Sequence, residues 1–489
     1  MKTYILLISI LAFSLFLRTY RASILTGFYF DQGRDAKIIW DLWHQNRFFL
    51  IGPTTGIEGI FLGPAYYYLI APFYLLGGGN PVAASWGLAV ICVLGIFVVY
   101  RIGKDFFNPS SGLLAALLIS FSLSLVQSHR WLSNPTPLFL FSALAVWLIL
   151  KIVHGSKSEW SWLILGFVLG ISLQFEAASA VFFLPAVILI FLVFRKSIYW
   201  KIKSLIHLAF SFLITLIPQL LFDFRHDHIL VMAFRRFLLT EKSFAPTDSN
   251  FLLNRLKFYF DSFSSVLTLD RLPAIIILLL LVLFTIAVWR IIPKKSLAVL
   301  LIWLLTPMAF LLLYQGNYGY VWSYYFTGVY QVFVLLIAVI LSHVFFYSHL
   351  PFKKGLVGVV VAYLLVWNGF HIFNYLIANA DGPTAIMLGS SLAAVDWVYK
   401  DTGDQPFNVD AYVPPVITHA YDYLFLWRGS TKYHLQPDRN IQSRLYTLYE
   451  VDVPHPERLE SWLTRQATYA TPEATIKFGG VAVDRRYRL

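Results

Sequence analysis

The chain has 489 residues, of which 58% are hydrophobic and only 13% are charged. Soluble proteins carry about 25% charged residues, so this composition excludes an ordinary soluble protein. The formal net charge is +12 at pH 7, but most Lys and Arg residues lie between apolar stretches, where they signal membrane topology rather than nucleic-acid binding. A single cysteine, Cys92, excludes an intramolecular disulfide. The sequence therefore predicts an integral membrane protein whose partners include membrane lipids and no nucleic acid.

The apolar run Ile5–Leu17 follows a basic start as in a signal peptide, but no small-residue cleavage site comes after it, which predicts a first membrane helix. A spanning helix needs about 20 apolar residues. Eleven segments meet this requirement: 3–23, 82–100, 112–128, 135–152, 160–175, 178–194, 204–221, 272–290, 296–314, 323–345 and 355–374. The stretch Gly63–Leu76 is too short and contains Pro64 and Pro72, which predicts a re-entrant or interfacial helix.

Basic residues set the predicted topology, because short cytoplasmic loops collect Lys and Arg. Eleven crossings and a cytoplasmic N-terminus place these groups inside: Lys2, Arg101/Lys104, Lys151/Lys157, Arg195/Lys196/Lys201/Lys203, Arg290/Lys294/Lys295 and Lys353/Lys354. A twelfth crossing at 63–76 would move every later group outside. The prediction is therefore a transmembrane domain at 1–374 and an extracytoplasmic domain at 375–489, in a bacterial or archaeal plasma (inner) membrane.

Two regions outside the predicted crossings have recognisable patterns. In the first outer loop, Asp31–Trp43 has apolar residues at helical spacing, which predicts an interfacial helix lying flat on the membrane. The C-terminal domain has predicted strands at Asn408–Val413, Leu445–Val451 and Ala474–Val483 and a helix near Ser391–Tyr399. The fold class is thus an all-α polytopic membrane domain with a small C-terminal α/β domain.

Acidic residues in the predicted outer loops are candidates for acid–base chemistry. Asp31 and Asp35 are four residues apart, so on a helix they share one face just beyond the first crossing, where a carboxylate can act as a general base. Alternatively, Asp31 caps the interfacial helix. Glu58, in the turn-rich segment of the same loop, is either a second carboxylate or a solvated acid. Glu176, at a tight outer turn, is either functional or simply exposed to water.

Several basic residues lie on the predicted outer side, against the usual distribution. Arg130 stands between His129 and Asn134 in a short loop joining two apolar helices, and its guanidinium is suited to bind a phosphate. Similarly placed arginines are Arg18, Arg21, Arg225, Arg235 and Arg236. The alternative for each is snorkelling to lipid headgroups. The run Asp223–His228 has metal-ligand residue types without metal-site spacing, which favours a solvated loop.

Missing motifs disfavour two classes of membrane protein. The sequence has no phosphate-binding loop ending in GK[ST] and no D-x-D motif of nucleotide-sugar enzymes. It also has no acids in the interior of most apolar segments to relay protons or ions. An ATPase or an ion-coupled pump is therefore disfavoured.

Four passages resemble the polytopic lipid-linked (GT-C type) glycosyltransferases, the superfamily of protein O-mannosyltransferases, the lipid A aminoarabinose transferase and oligosaccharyltransferase. Phe28–Gly33 is similar to the first outer loop of this family, where an acid, often followed by Glu, comes after the first helix. The other passages are Leu62–Pro72, Arg130–Pro135 and Leu216–Arg225. The resemblance covers about residues 1–375. Two departures are Gln32 in place of the frequent Glu, and a second outer loop that offers Arg130 and Asn134 rather than an acid.

The resemblance implies an inverting enzyme that moves a sugar from a polyprenyl phosphate donor to an unidentified acceptor hydroxyl on the outer face. It places catalysis at Asp31 and Asp35. The implied donor-phosphate residues are Arg130, His129, Asn134 and Arg225, and the acceptor or sugar contacts are Glu58, Tyr67, Glu176 and Tyr324, although aromatic residues at such positions are often interfacial anchors. No cofactor is certain, a divalent cation is possible, and no metal ligand is assigned.

Two other functions fit the same composition. A transporter or flippase of lipid-linked sugars would also place basic residues near a lipid phosphate, but the repeat symmetry typical of transporters does not stand out in the sequence. A non-catalytic membrane scaffold for the outer domain would tolerate substitution of Asp31. Transfer activity of an Asp31 variant therefore separates the enzyme from the scaffold.

Overall fold

A computed structural model of the chain describes residues 2–239, 250–314, 320–347, 350–378, 382–414 and 416–488. Within these ranges the first part of the chain is helical, and residues 382–488 form a smaller unit with a four-stranded sheet, which we call the C-terminal unit. The sequence therefore predicted the mostly helical fold and the small C-terminal sheet correctly.

The helical part begins with α1 to α9, followed in chain order by α10 to α18. The first nine are α1 (Lys2–Thr19), α2 (Ala22–Leu25), α3 (Phe30–His44), α4 (Ala65–Leu76), α5 (Pro81–Phe106), α6 (Pro109–Ser120), α7 (Leu123–His129), α8 (Leu138–Val153) and α9 (Glu159–Phe175). The others are α10 (Ala177–Ala180), α11 (Phe183–Val193), α12 (Ile202–Arg225), α13 (Ile229–Leu239), α14 (Phe251–Ser264), α15 (Arg271–Val288), α16 (Lys294–Leu313), α17 (Tyr330–Tyr347) and α18 (Pro351–Ile377). A short 3₁₀ turn, Ser323–Phe326, precedes α17.

Local sequence signals explain where the helices α5 and α6 begin. The Asn80 side chain accepts a hydrogen bond from Val82 N (3.0 Å) at the start of α5, and the Asn108 side chain accepts one from Ser111 N (2.8 Å) at the start of α6. In both helices the first residue is proline, which has no N–H to leave unsatisfied there.

Apolar helices account for every predicted crossing. Among the described residues, six helices (α5, α12, α15, α16, α17 and α18) are long and apolar enough to cross a membrane, and the α6–α7 pair, bent by 71°, could form a seventh. The remaining predicted crossings coincide with shorter apolar helices, and the re-entrant segment forms the 12-residue helix α4. The number of crossings, like the domain boundary at residue 374, stays a prediction.

Small residues let the helices approach closely. A Cβ atom on Gly103 of α5 would lie 2.5 Å from Cα of Gly112 in α6, and one on Gly166 of α9 would lie 2.1 Å from the Leu208 carbonyl oxygen of α12. Because lipid tails are as apolar as the buried side chains, such close packing and interhelical hydrogen bonds hold a membrane bundle together.

Arg18 and Arg21 have structural contacts within the bundle. Arg18 is fully buried, and its guanidinium donates to His129 Nδ1 (3.0 Å) and to the Ile119 carbonyl (3.3 Å), beside the break between α6 and α7. Arg21 donates to the Leu376 carbonyl (2.8 Å) near the end of α18. Snorkelling is therefore the wrong interpretation for Arg18, which stabilises the bent helix pair.

The C-terminal unit contains three helices and a mixed sheet. Its elements are α19 (Leu388–Thr402), β1 (Asn408–Tyr412), α20 (His419–Arg428), β2 (Arg444–Glu450), α21 (Pro456–Ala467), β3 (Ala470–Phe478) and β4 (Val481–Arg488). The strand order is β1-β2-β4-β3, with β1 parallel to β2 and the other pairs antiparallel. The single strand predicted at 474–483 is wrong, because Gly479, with φ of +59°, begins a turn that makes β3 and β4 a hairpin.

The C-terminal unit packs on the helical part through α20 and α3. The Tyr423 hydroxyl donates to the Gly79 carbonyl (2.5 Å), and the Trp427 indole donates to the Gly78 carbonyl (2.9 Å) in the turn between α4 and α5. Gly33 of α3 lies against the backbone of α20, where it leaves no room for a side chain. The predicted helix at Asp31–Trp43 thus exists as α3 and lies between the two parts of the protein; whether it lies flat on a membrane stays a prediction.

Candidate active site

The first turn of α3 is fixed by Gln32. The Tyr29 N–H donates to Gln32 Oε1 (3.0 Å), and the Gln32 amide donates to the Leu132 carbonyl (3.0 Å) in the loop after α7. Tyr29 is therefore the N-terminal cap residue, and the capping role considered for Asp31 is wrong. Because Gln32 links α3 to the second loop, Asp31 is held next to residues 100 positions further along the chain.

Arg34 joins the two aspartates of α3. Its guanidinium lies 2.7 Å from Asp31 Oδ1 and 2.8 Å from Asp35 Oδ1, and the Tyr67 hydroxyl of α4 donates to the same Asp35 oxygen (3.0 Å). The Asp31 side chain is 45% exposed, whereas that of Asp35 is 6% exposed. Asp31 is thus the accessible carboxylate, and Asp35, Arg34 and Tyr67 form a buried support behind it.

The buried position of Asp35 changes its titration. Burial raises the pKa of Asp35 to about 6, because a carboxylate is poorly solvated there, and the charge and hydrogen bonds of Arg34 and the hydrogen bond of Tyr67 limit the rise. Asp35 therefore changes its charge near neutral pH, and with it the charge balance around Arg34.

Charges from distant parts of the sequence meet at Tyr324. The Trp131 ring centre is 5.7 Å from that of Tyr324, and the negative charges of Glu176 and Asp31 both act on the Tyr324 phenol. Tyr324 therefore lies within electrostatic range of both Asp31 and Glu176, although the three residues come from separate parts of the sequence.

Glu176 is buried at the turn between α9 and α10. Its carboxylate accepts a hydrogen bond from Ala178 N (3.1 Å), and burial raises its pKa to about 7, while a hydrogen bond from the Asn134 side chain opposes the rise. Asn134 also donates to the Phe175 carbonyl (2.6 Å). Of the two alternatives for Glu176, exposure to water is therefore wrong, and Asn134 has a structural contact that holds this turn.

His129 and Arg130 are buried at the end of α7. Arg130 donates to the Leu17 carbonyl (3.0 Å), and its guanidinium lies 5.6 Å from the centre of the Tyr375 ring. In the part of the chain that the structure describes, Arg130 Nε and Nη2 and His129 Nε2 have no hydrogen-bond partner. Buried polar groups without partners are costly, so these atoms suit an anionic ligand.

Glu58 and Arg225 are not brought close to Asp31 by any contact among the described residues. The Glu58 side chain is 93% exposed and lies 3.8 Å from Arg236 of α13. Arg225 is exposed at the end of α12. The surface position of Glu58 agrees with its interpretation as a solvated loop acid.

The run Asp223–His228 joins the end of α12 to the start of α13. Asp223 is buried, accepts hydrogen bonds from Leu230 N (2.7 Å) and Val231 N (3.2 Å), and so satisfies free N–H groups of α13. Within the described ranges, no group of three or more His, Cys, Asp or Glu side chains is arranged to hold a metal ion.

Sequence reasoning missed Arg34. The signal was present, because Arg34 follows Asp31 by three residues and precedes Asp35 directly, so on a helix it can reach both carboxylates. Gln174 was also missed: its buried side chain accepts from Ala65 N (3.1 Å) at the start of α4 and donates to the Thr215 carbonyl of α12. No local pattern predicts that contact, because it depends on the packing of three helices.

The apolar helices, six of them in the described residues long enough to cross a membrane, define a polytopic membrane protein to which a small α/β unit is attached. Residues 62–222, about a third of the chain, match the family described as dolichyl-phosphate-mannose-protein mannosyltransferase. No curated protein matches the chain significantly.

Solved structures share the fold over almost the whole chain. ArnT from Cupriavidus metallidurans bound to undecaprenyl phosphate is 11% identical, with a TM-score of 0.62 over 99% of this chain and 97% of that chain. Its apo structure is 12% identical, with a TM-score of 0.63 and the same coverage. The Archaeoglobus fulgidus oligosaccharyltransferase tethered with an acceptor peptide is 14% identical, with a TM-score of 0.50 over 86% of this chain and 63% of that chain. These findings confirm the resemblance to polytopic lipid-linked glycosyltransferases and a multi-pass membrane protein.

Proposed function

We propose that the protein is an inverting glycosyltransferase that moves a sugar from a polyprenyl phosphate to an acceptor hydroxyl. The proposal includes an inner (plasma) membrane location, a cytoplasmic N-terminus and an extracytoplasmic C-terminal unit. Support comes from the shared fold, from the family match over residues 62–222 and from the undecaprenyl phosphate bound to ArnT. The observation that carries the proposal is the accessible Asp31 carboxylate held on a buried support between the bundle and the C-terminal unit.

Asp31 is the proposed general base. As the acceptor oxygen bonds to the anomeric carbon, the hydroxyl proton passes to the Asp31 carboxylate and the bond from the anomeric carbon to the phosphate oxygen breaks. A positioned base of this kind contributes about 10²–10⁴-fold to the rate. One carboxylate is sufficient, since direct displacement forms no glycosyl-enzyme intermediate. In this scheme Asp35, Arg34 and Tyr67 position the base, and Glu176 and Tyr324 border the sugar; the sugar contact expected of Tyr67 is replaced by its hydrogen bond to Asp35.

Arg130 and His129 are the proposed phosphate ligands. The leaving phosphate gains negative charge in the transition state, and a preorganised guanidinium in a water-poor site stabilises that charge. The buried Arg130 Nε and Nη2 and His129 Nε2, which lack partners among the described residues, supply the donors. The exposed Arg225 is not part of this proposed cluster.

The experiment that tests the proposal is thermal unfolding of the purified protein with added polyprenyl phosphate. A ligand at about 100 times its dissociation constant stabilises a folded protein by roughly 2.7 kcal/mol. We expect wild type and Arg225→Ala to be stabilised and Arg130→Ala to lose most of the shift. An unchanged shift in Arg130→Ala would remove Arg130 from the donor site, and no shift in wild type would contradict a lipid-phosphate donor.

We expect sugar transfer to decline as the pH falls below about 6. With a pKa of about 6, Asp35 is ionised above this pH and shares the Arg34 guanidinium with Asp31. Below this pH Asp35 is protonated and neutral, so Arg34 interacts more strongly with Asp31. The Asp31 carboxylate then becomes a weaker base, and transfer slows. The measurement is the transfer rate of wild type and of Asp35→Asn as a function of pH. We expect the wild-type rate to decline near pH 6 and the variant to lack this decline. Glu176→Gln is the control, because Glu176 titrates near pH 7 and its removal leaves the Asp35 decline in place.

A further inference from the structure

A polar cleft of about 410 Å³ lies at one end of the sheet in the C-terminal unit. Its lining includes Asn408, Asp410, Asp438, Arg439, Tyr469 and Arg488. Cavities of this volume fall in the range that small ligands occupy. None of these residues belongs to the candidate active site, so the cleft needs a separate explanation.

The cleft lies at the end of the sheet away from Asp31. At the opposite end of the sheet, Gly480 N donates to the Ala385 carbonyl (2.8 Å). The next carbonyl, that of Ile386, accepts a hydrogen bond from the hydroxyl of Tyr29 (3.3 Å), and Tyr29 precedes Asp31 by two residues. Glu450, the last residue of β2, belongs to that end, whereas Leu445 of the same strand lines the cleft. At about 3.3 Å per residue the five intervening steps place the cleft roughly 17 Å further along the sheet.

Hydrogen bonds hold the polar side chains of the cleft in place. Gln466 is fully buried; its amide donates to Asp410 Oδ2 (2.6 Å) and accepts from the Tyr469 hydroxyl (2.5 Å). Asn408 donates to the Asp438 carbonyl (2.9 Å) and so fixes the loop on the other side. A ligand therefore meets an ordered surface, which lowers the entropy cost of binding.

Arg488 has unused hydrogen-bonding capacity at the cleft. Its guanidinium lies 5.7 Å from the centre of the Tyr469 ring, and its nearest acceptor, Asn408 Oδ1, is at the long distance of 3.5 Å. Arg488 Nε is buried and has no partner within the described ranges. A buried donor without a partner points to a ligand that supplies an acceptor.

The chemistry of the lining favours a saccharide. The negative charges of the two aspartates balance the positive charges of the two arginines, which disfavours a polyanion as the ligand. A sugar hydroxyl suits this lining, because it can donate to a carboxylate while it accepts from a guanidinium. A peptide strand added to the edge strand β1 is disfavoured, because Asp438 N donates to the Phe407 carbonyl (2.8 Å) and Gln442 N to Asn408 Oδ1 (2.7 Å), which covers the start of that edge.

We propose that this cleft binds a sugar unit of an extended acceptor glycan, several units away from the hydroxyl that reacts at Asp31. The inference rests on the proposed transferase function and adds to it the chemical class of the acceptor. The C-terminal unit then selects long glycans over short ones, because only a long chain spans the distance between the cleft and Asp31.

The test is calorimetric titration of the full-length, detergent-purified protein with three uncharged hexasaccharides: maltohexaose, chitohexaose and laminarihexaose. We expect at least one to bind with one-to-one stoichiometry, and both Arg488→Ala and Arg439→Ala to weaken it at least tenfold. Arg439 is exposed and its side chain makes no hydrogen bond or ion pair with the described residues, so its variant tests the cleft even where Arg488→Ala unfolds. The matched control is Lys477→Ala, an exposed cation on β3 outside the cleft, which keeps wild-type affinity.

The outcomes separate the cleft from the transfer reaction. Absence of binding by all three hexasaccharides, or equal affinity in both arginine variants and wild type, overturns the saccharide cleft. Binding of unrelated decapeptides that Arg439→Ala weakens assigns the cleft to peptides instead. Asp31→Asn binds the hexasaccharide like wild type, so retained transfer in that variant overturns the base assignment and not the cleft.

Discussion

Asp31→Asn is expected to lower sugar transfer by about 10²–10⁴-fold, the contribution of a positioned general base. Asparagine keeps the shape of the side chain and can still accept a hydrogen bond from Arg34, but it cannot take the proton of the acceptor hydroxyl. The fold is expected to survive, because the Asp31–Arg34 ion pair is partly exposed and such pairs contribute about 0–1 kcal/mol.

The measurement is the single-turnover rate with a radiolabelled polyprenyl-phosphate sugar, accompanied by a thermal unfolding curve. Asp41→Asn is the matched control: it makes the same change on α3, about three turns further on, where the partly exposed carboxylate accepts a hydrogen bond from Gln45 (2.9 Å). A wild-type rate in Asp31→Asn would favour the non-catalytic scaffold. Equal losses in both variants would show that α3 itself, and not the base, had been damaged.

The membrane helices were predictable because a run of about 20 apolar residues is a strong local signal. The break between α6 and α7 was not, because Ser120, Ser122 and Ser124 leave the segment apolar enough to be taken as one crossing. In the structure the Ser122 hydroxyl caps α7 (3.4 Å to Leu125 N). The amphipathic helices α13 and α14, between the predicted crossings at 204–221 and 272–290, were not predicted, since their charged residues dilute the apolar signal. In the C-terminal unit the pair Gly479-Gly480 marked a turn that the strand pattern on either side concealed.

Sequence spacing alone indicated which candidate site residues are neighbours only where they are close in the chain; the distant ones came from the family resemblance. Asp31 and Asp35 share a helix face, which the spacing shows directly, and Tyr67 lies in the same loop. Arg18 is buried against His129, which lies 111 residues further along the chain, and this contact depends on how the helices pack. An arginine at the end of an apolar run is expected both for snorkelling and for burial, so the sequence could not distinguish the two. For the same reason the contacts of Gln174 with Ala65 and Thr215 could not be predicted, whereas the spacing of Arg34 from Asp31 and Asp35 was a local signal that was overlooked.

Gly33→Ala is expected to separate the C-terminal unit from α3 and to lower both stability and transfer. A Cβ atom on Gly33 would lie 2.2 Å from the His419 carbonyl oxygen and 2.4 Å from Ala420 N, both backbone atoms that cannot rotate away. Alanine favours a helix over glycine by about 1 kcal/mol, but overpacking typically costs about 1–3 kcal/mol, so the clash outweighs the gain.

The check is the unfolding temperature of Gly33→Ala beside that of Gly369→Ala. Gly369 is also helical, but a Cβ atom there meets nothing within 4 Å, so its variant is expected to melt at or slightly above the wild-type temperature. Because α3 carries Asp31, its displacement from α20 also moves the base away from Trp131 and Tyr324, and transfer falls together with stability. A Gly33→Ala protein with wild-type melting and wild-type transfer would mean that α3 and α20 do not touch in the working enzyme, and that the C-terminal unit is not needed to position the base.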